Sequence, residues 1–139
     1  MTLFHALPGE GCREVSQCLA EVAGARGPLS LVAEGPMKLG RGTAIRLGGR
    51  DLAELKRLKR GLVAELARRL GDRPTAQDRG GLRPHVTIQN KVTPEEACRL
   101  HAQLTASWEP FAVTGVSLKL WRYLGGPWEA VEKFSFNGD

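Results

Sequence analysis

Cysteine is scarce in this chain and has no pairing pattern. Cys12, Cys18 and Cys98 make an odd count with no Cys-x-x-Cys spacing, which argues against a disulfide framework and against a structural zinc site, and makes a reducing cytoplasm the expected compartment. No run approaches the ~18 apolar residues that a membrane span requires. The first residues hold no basic stretch leading into an apolar one, so neither a leader peptide nor a membrane partner is expected. No repeat longer than a short motif recurs and no linker interrupts the chain, so one domain over residues 1–139 is expected.

What is present is ordinary for a globular protein: 139 residues, 42% hydrophobic and 25% charged, long enough to bury a core without covalent staples. The net charge of +5 suits a polyanionic partner, but many proteins without one carry as much.

Apolar spacing gives the elements. Met1 to Leu7 alternates as a short strand, turned by Pro8-Gly9. Val15, Cys18, Leu19 and Val22 follow helical spacing between about Gly11 and Ala25. Leu29 to Glu34 alternates as a second strand closed by Gly35-Pro36, and a third strand is expected from Met37 to Leu47. Gly40-Arg41-Gly42 is not a dinucleotide fingerprint, because Ile45 holds the third glycine's place and no helix follows. A bulge or a close backbone approach is the expected use of these glycines, ahead of contact with a phosphate.

Asp51, with Glu54 three residues on, opens a helix whose stripe is Leu52, Leu55, Leu58, Leu62, Leu66 and Leu70, ended by Gly71. Lys56, Arg57, Lys59, Arg60, Arg68 and Arg69 fall mostly off that stripe. With no aromatics among them they read as a solvated face rather than an RNA-binding one. Asp72 to Leu82 is expected as a loop, with Arg73, Arg79 and Arg83 overhanging a cleft. Thr93-Pro94-Glu95-Glu96 carries a cap, a proline at the first helical position and a capping-box glutamate; Ala97, Leu100 and Leu104 face inward, and His101 beside them reads as packing or surface. The remainder is β-rich: Phe111 to Val113, Val116 to Leu124, a Gly125-Gly126-Pro127 turn, and Trp128 to Phe136.

The most informative run is Arg83-Pro84-His85-Val86-Thr87-Ile88-Gln89-Asn90-Lys91. Proline can begin a strand but not occupy its middle. Alternation from His85 then puts His85, Thr87, Gln89 and Lys91 on one face and Val86 and Ile88 on the other. Imidazole, hydroxyl and ammonium groups on one face fill a core badly and hold a phosphate well. In the run before the Gly125-Gly126-Pro127 turn, Lys119, Trp121 and Tyr123 share a face, a platform for a base and its phosphate or else ordinary cross-strand packing.

The Pro84-His85-Val86-Thr87-Ile88 run resembles a His-x-Thr/Ser signature of the 2H phosphoesterases, in particular the bacterial 2′-5′ RNA ligase-like branch. Leu3-Phe4-His5-Ala6-Leu7-Pro8-Gly9, Leu39-Gly40-Arg41-Gly42 and the run from Leu118 to Trp128 resemble the same branch in the same order. The resemblance covers essentially the whole chain. It implies an α+β fold of two antiparallel lobes flanked by helices around a central cleft, here N-terminally truncated. It also implies phosphodiester chemistry with no cofactor and no metal, in which two histidines share the acid–base work on 2′,3′-cyclic phosphates or 2′-5′-linked RNA ends.

Under that resemblance His85 is the catalytic histidine. Thr87 and Thr2 are phosphate hydroxyls with Lys91 as a phosphate cation, and Trp121 and Tyr123 are base or ribose contacts. The family pattern puts its other motif histidine immediately before Met1. His5 lies three residues beyond Thr2 and, on a strand, faces away from it. Either the start is assigned too late or this form has one catalytic arm, with activity impaired. The alternative from another class is a binding module for nucleotides or RNA ends that keeps the cleft without turnover.

Overall fold

The computed structural model describes residues 1–71 and 75–138. A 3-10 turn at Gly9–Gly11 leads into α1 (Cys12–Gly24), β1 (Leu29–Leu39), β2 (Gly42–Gly48), α2 (Leu52–Leu70), α3 (Ala76–Arg79), β3 (His85–Gln89), α4 (Pro94–Ser107), β4 (Phe111–Gly115), β5 (Ser117–Tyr123) and β6 (Trp128–Ser135). Four strands form an antiparallel sheet in the order β3-β2-β1-β4, and β5 and β6 form a second, two-stranded antiparallel sheet. This is the α+β arrangement of curled antiparallel sheets and helices that the sequence led us to expect.

Two apolar clusters hold these layers. Val15, Cys18 and Leu19 of α1 meet Leu55, Leu58, Leu62 and Leu66 of α2, and the cluster takes in Leu29 and Leu31 of β1 with Leu118, Phe134 and Phe136. Each such side chain, fully buried, contributes on the order of 1.5–3 kcal/mol. Ala33, Ile45 and Leu47 form the smaller cluster with Leu104 and Trp108 of the α4 end. α4 begins as its sequence predicts: the Thr93 hydroxyl accepts from the Glu96 N–H at 3.2 Å and the Glu96 carboxylate accepts from the Thr93 N–H at 2.9 Å.

Three local expectations fail for identifiable reasons. Gly35-Pro36 does not close a strand but lies inside β1, at an irregularity between Ala33 and Gly35. β4 pairs only with Leu29 to Ala33, so beyond that point the far side of β1 has no ladder among the described residues and a proline costs no sheet hydrogen bond there. The chain reverses instead at Gly40-Arg41, between the paired Leu39 and Gly42, with Gly40 at φ +53°. At α2 the Asp51 side chain makes no capping bond; its carboxylate accepts from the Ser30 N–H at 2.7 Å and so ties the helix start to β1.

The expected loop from Asp72 to Leu82 contains the short helix α3, capped by Thr75, whose hydroxyl accepts from the Asp78 N–H. Part of that expectation, including Arg73 and Pro74, lies outside the described residues.

Candidate active site

β3 is the edge of its sheet, paired to β2 through Ala44↔Thr87, Ile45↔Val86 and Arg46↔His85. Gly42 makes this pairing possible at its far end, since a Cβ there would stand 1.9 Å from the Gln89 carbonyl oxygen. The close backbone approach expected of these glycines is therefore to a neighbouring strand. Val86 and Ile88 stay 40% and 47% exposed, because α4 packs mainly on β1 and β2.

Alternation along β3 does not run its whole length. The register shifts between Thr43↔Gln89 and Ala44↔Thr87, so one extra residue on β3 turns the strand over. Gln89 then meets Thr43, whose hydroxyl also donates to the Ala97 carbonyl of α4. Asn90 instead lines the cleft on His85's side. Lys91, expected beside His85 as a phosphate cation, sits past the strand end at φ 57° and is not among the cleft residues.

The His85 ring is fixed by its own loop. Nδ1 lies 2.6 Å from the Arg83 carbonyl oxygen, and since a carbonyl only accepts, Nδ1 carries the hydrogen and Nε2 is left for proton exchange.

Residues Met1 to Pro8 form no strand, which corrects the expected Met1–Leu7 strand and the faces it assigned to Thr2 and His5. The backbone groups of this segment are satisfied by side chains instead of a ladder. The buried Asp78 carboxylate accepts from the His5 N–H at 2.8 Å and the Ala6 N–H at 3.2 Å, and the His5 Nδ1 lies 2.9 Å from the same carboxylate. Burial works against the charge of Asp78, but the bonds from His5, Ala6 and Thr75 outweigh it and hold the carboxyl below its ordinary value.

Lys59, expected on a solvated face, is 4% exposed. It donates to the carbonyls of Leu3 at 2.7 Å and Asp78 at 2.5 Å and lies 4.0 Å from the Phe4 ring centroid. Burial lowers its pKa, an effect the nearby Asp78 charge partly offsets. Signals for both residues were in the sequence. Lys59 stands four residues after Leu55 and three before Leu62, on the buried stripe, and Thr75-x-x-Asp78 is a cap pattern. Of the other α2 cations, Lys56, Arg57, Arg60 and Arg68 face outward, Arg57 paired with Glu54 and Arg68 with Glu65, while the mostly buried Arg69 pairs with Glu21 of α1 and with Glu65.

These walls enclose a cleft of about 440 Å³ whose lining includes Thr2, His5, Lys59, Asp78, His85 and Thr87. Of the site residues expected from sequence, His85, Thr87 and Thr2 are brought together here, and His5, set aside on register, joins them. Arg83 lines the cleft as well. Trp121 and Tyr123 do not. They lie exposed on β5, Trp121 with the Lys119 ammonium 5.9 Å from its ring and Tyr123 against Trp128 at 4.9 Å between centroids. No group of three or more metal-binding side chains occurs among the described residues, and no described helix is long and apolar enough to cross a membrane.

Helix-flanked antiparallel sheets around a cleft entered by a His-x-Thr strand define a 2H phosphoesterase-like protein. The family model of the 2′-5′ RNA ligase superfamily matches residues 1–127, and the chain belongs to that superfamily. Among solved structures it is similar to TT0787 of Thermus thermophilus, with a TM-score of 0.63 at 16% identity, covering 98% of this chain and 75% of that one. At that identity the likeness speaks for the fold. Among curated proteins none matches the chain in sequence.

Proposed function

We propose that this protein acts on the 2′,3′-cyclic phosphate or 2′-5′-linked end of an RNA, with His85 exchanging the proton and the Thr87 and Thr2 hydroxyls donating to the phosphate oxygens. The observation that carries this reading is the His85 ring itself. With Nδ1–H held by the Arg83 carbonyl at 2.6 Å, Nε2 is the nitrogen left to a ligand in a cleft that Thr87 and Thr2 also line. Superfamily membership supports RNA ends as the substrate class.

His85→Ala should lower turnover of a 2′,3′-cyclic nucleotide at least ~100-fold, the usual range for one positioned acid or base. The melting temperature should stay within a few degrees, because the imidazole is only half-buried at a sheet edge. Loss of the fold would mark His85 as structural. The reading it competes with is a module that binds RNA ends without turnover, which the same assay separates: cyclic-nucleotide binding with no hydrolysis would favour the module.

A further inference from the structure

We infer that the end of the cleft formed by Leu39, Gly40 and Asn90 receives the base of the bound nucleotide, and that Asn90 is its specificity-determining residue. It favours bases with a carbonyl oxygen on the edge far from the ribose, uracil and guanine, over those with an amino group there, cytosine and adenine. The inference rests on the reading above, which puts the phosphate at His85 and Thr87.

The chain strings the groups of the cleft out in order: Arg83, His85, Thr87 and then Asn90. Asn90 lies five residues past His85, roughly 16 Å along an extended strand. A phosphate held by His85 and Thr87 therefore leaves Asn90 to the ribose and base beyond it. Leu39 and Gly40 stand at this same end, because Leu39 pairs with Gly42 and a Cβ on Gly42 would lie 2.9 Å from the Asn90 Cα. The Val92 N–H, on the Arg41 carbonyl at 3.1 Å, closes the join. Lys91 is not among the cleft residues, so an apolar side chain, a glycine with open space above it and a neutral amide make up this end. They suit the uncharged part of a nucleotide.

The amide is oriented before any ligand arrives. Lys91, at φ 57°, is the one non-glycine residue with positive φ among the described residues, and its N–H donates to the Asn90 side chain at 2.9 Å. A backbone N–H only donates, so the atom it meets is Oδ1. The two Nδ2 hydrogens have no partner among the described residues. Left-handed backbone at a residue other than glycine is a local cost of the sort that gathers at ligand-binding positions, and here it fixes which end of one amide is offered to the cleft. A fixed donor reads a base by its far edge, where uracil O4 and guanine O6 accept while the amino groups of cytosine and adenine donate.

The test is titration of the full chain, and of Asn90→Asp and Asn90→Ala, with the 2′,3′-cyclic forms of UMP, GMP, CMP and AMP. Wild type is expected to bind the UMP and GMP forms at least ~3-fold more tightly than the other two, within the range of one net hydrogen bond. In Asn90→Asp the carboxylate still accepts from the Lys91 N–H but offers the base an acceptor, so the order should reverse. In Asn90→Ala the four dissociation constants should converge to within about twofold. Partial unfolding of a variant weakens all four alike and leaves their ratios readable. A wild type that binds the four equally, or sorts them by ring size, would overturn the role of Asn90 and leave the proposed function standing. So would an Asn90→Asp variant that weakens all four by one factor with the order unchanged. Binding of none of the four by the wild type would remove the proposed function itself, and this inference with it.

Discussion

His85 stands on a strand whose position is set by backbone pairing to β2, whereas His5 stands on an irregular segment held by side chains 56 and 73 positions away in sequence, Lys59 and Asp78. The first wall is a repeated local geometry in which each residue's direction follows from its neighbour's. The second is a small buried polar network in which every carbonyl, N–H and charge must find its partner, since an unmet group costs ~1–3 kcal/mol. One cleft is thus built by two rules, and substitutions should separate them.

The largest expected effect falls on the strand wall. Gly42→Ala puts a methyl group 1.9 Å from the Gln89 carbonyl oxygen, a backbone atom that cannot rotate aside, so β3 must move. A loss near ~3 kcal/mol, the upper end for overpacking, is expected in chemical denaturation, along with weaker cyclic-nucleotide binding, because His85 and Thr87 ride on β3. Unchanged stability would show that the two strands are not in contact there.

Next is the ammonium that anchors the other wall. Lys59→Met keeps the bulk of the side chain but leaves the Leu3 and Asp78 carbonyls without their donor. A loss of ~2 kcal/mol is expected, with amide exchange accelerated in residues 2–6 and little changed in β3. Equal acceleration in both places would mean that the walls are not independent.

The smallest effect is conditional on pH. The Asp78 carboxyl is held below its ordinary value, so its contribution is fully present above the unfolded-state pKa of ~4 and is lost as pH falls through the lowered folded-state value. Asp78→Asn should therefore be less stable than wild type by ~1–2 kcal/mol at pH 7, and the gap should narrow as pH drops below about 4. A gap independent of pH would assign the loss to packing rather than to the charge.

The same division explains what was legible in the sequence. The strand wall announced itself, because Pro84, alternation and the His85-x-Thr87 spacing are local signals, and the α4 cap was readable residue by residue. Its errors were local too: an extra residue in β3 moved Lys91 out of the cleft, and Pro36 passed for a strand end because an unpaired strand side cannot be seen in one dimension. The second wall depends on contacts between residues 1–8, α2 and α3. Alternation in Met1 to Leu7 reports apolar spacing but not the absence of a pairing partner, and the charge of Lys59 masks its position on the leucine stripe.

The most direct test of the account is a titration of the protein, 15N-labelled at histidine, with a 2′,3′-cyclic nucleotide, following the ring nitrogens of His5, His85 and His101, its three histidines. The account predicts that Nε2 of His5 and of His85 shift together and saturate at one Kd while His101, on α4, stays still. A shift confined to His85, or one spread equally over all three, would contradict a single cleft shared by the two walls.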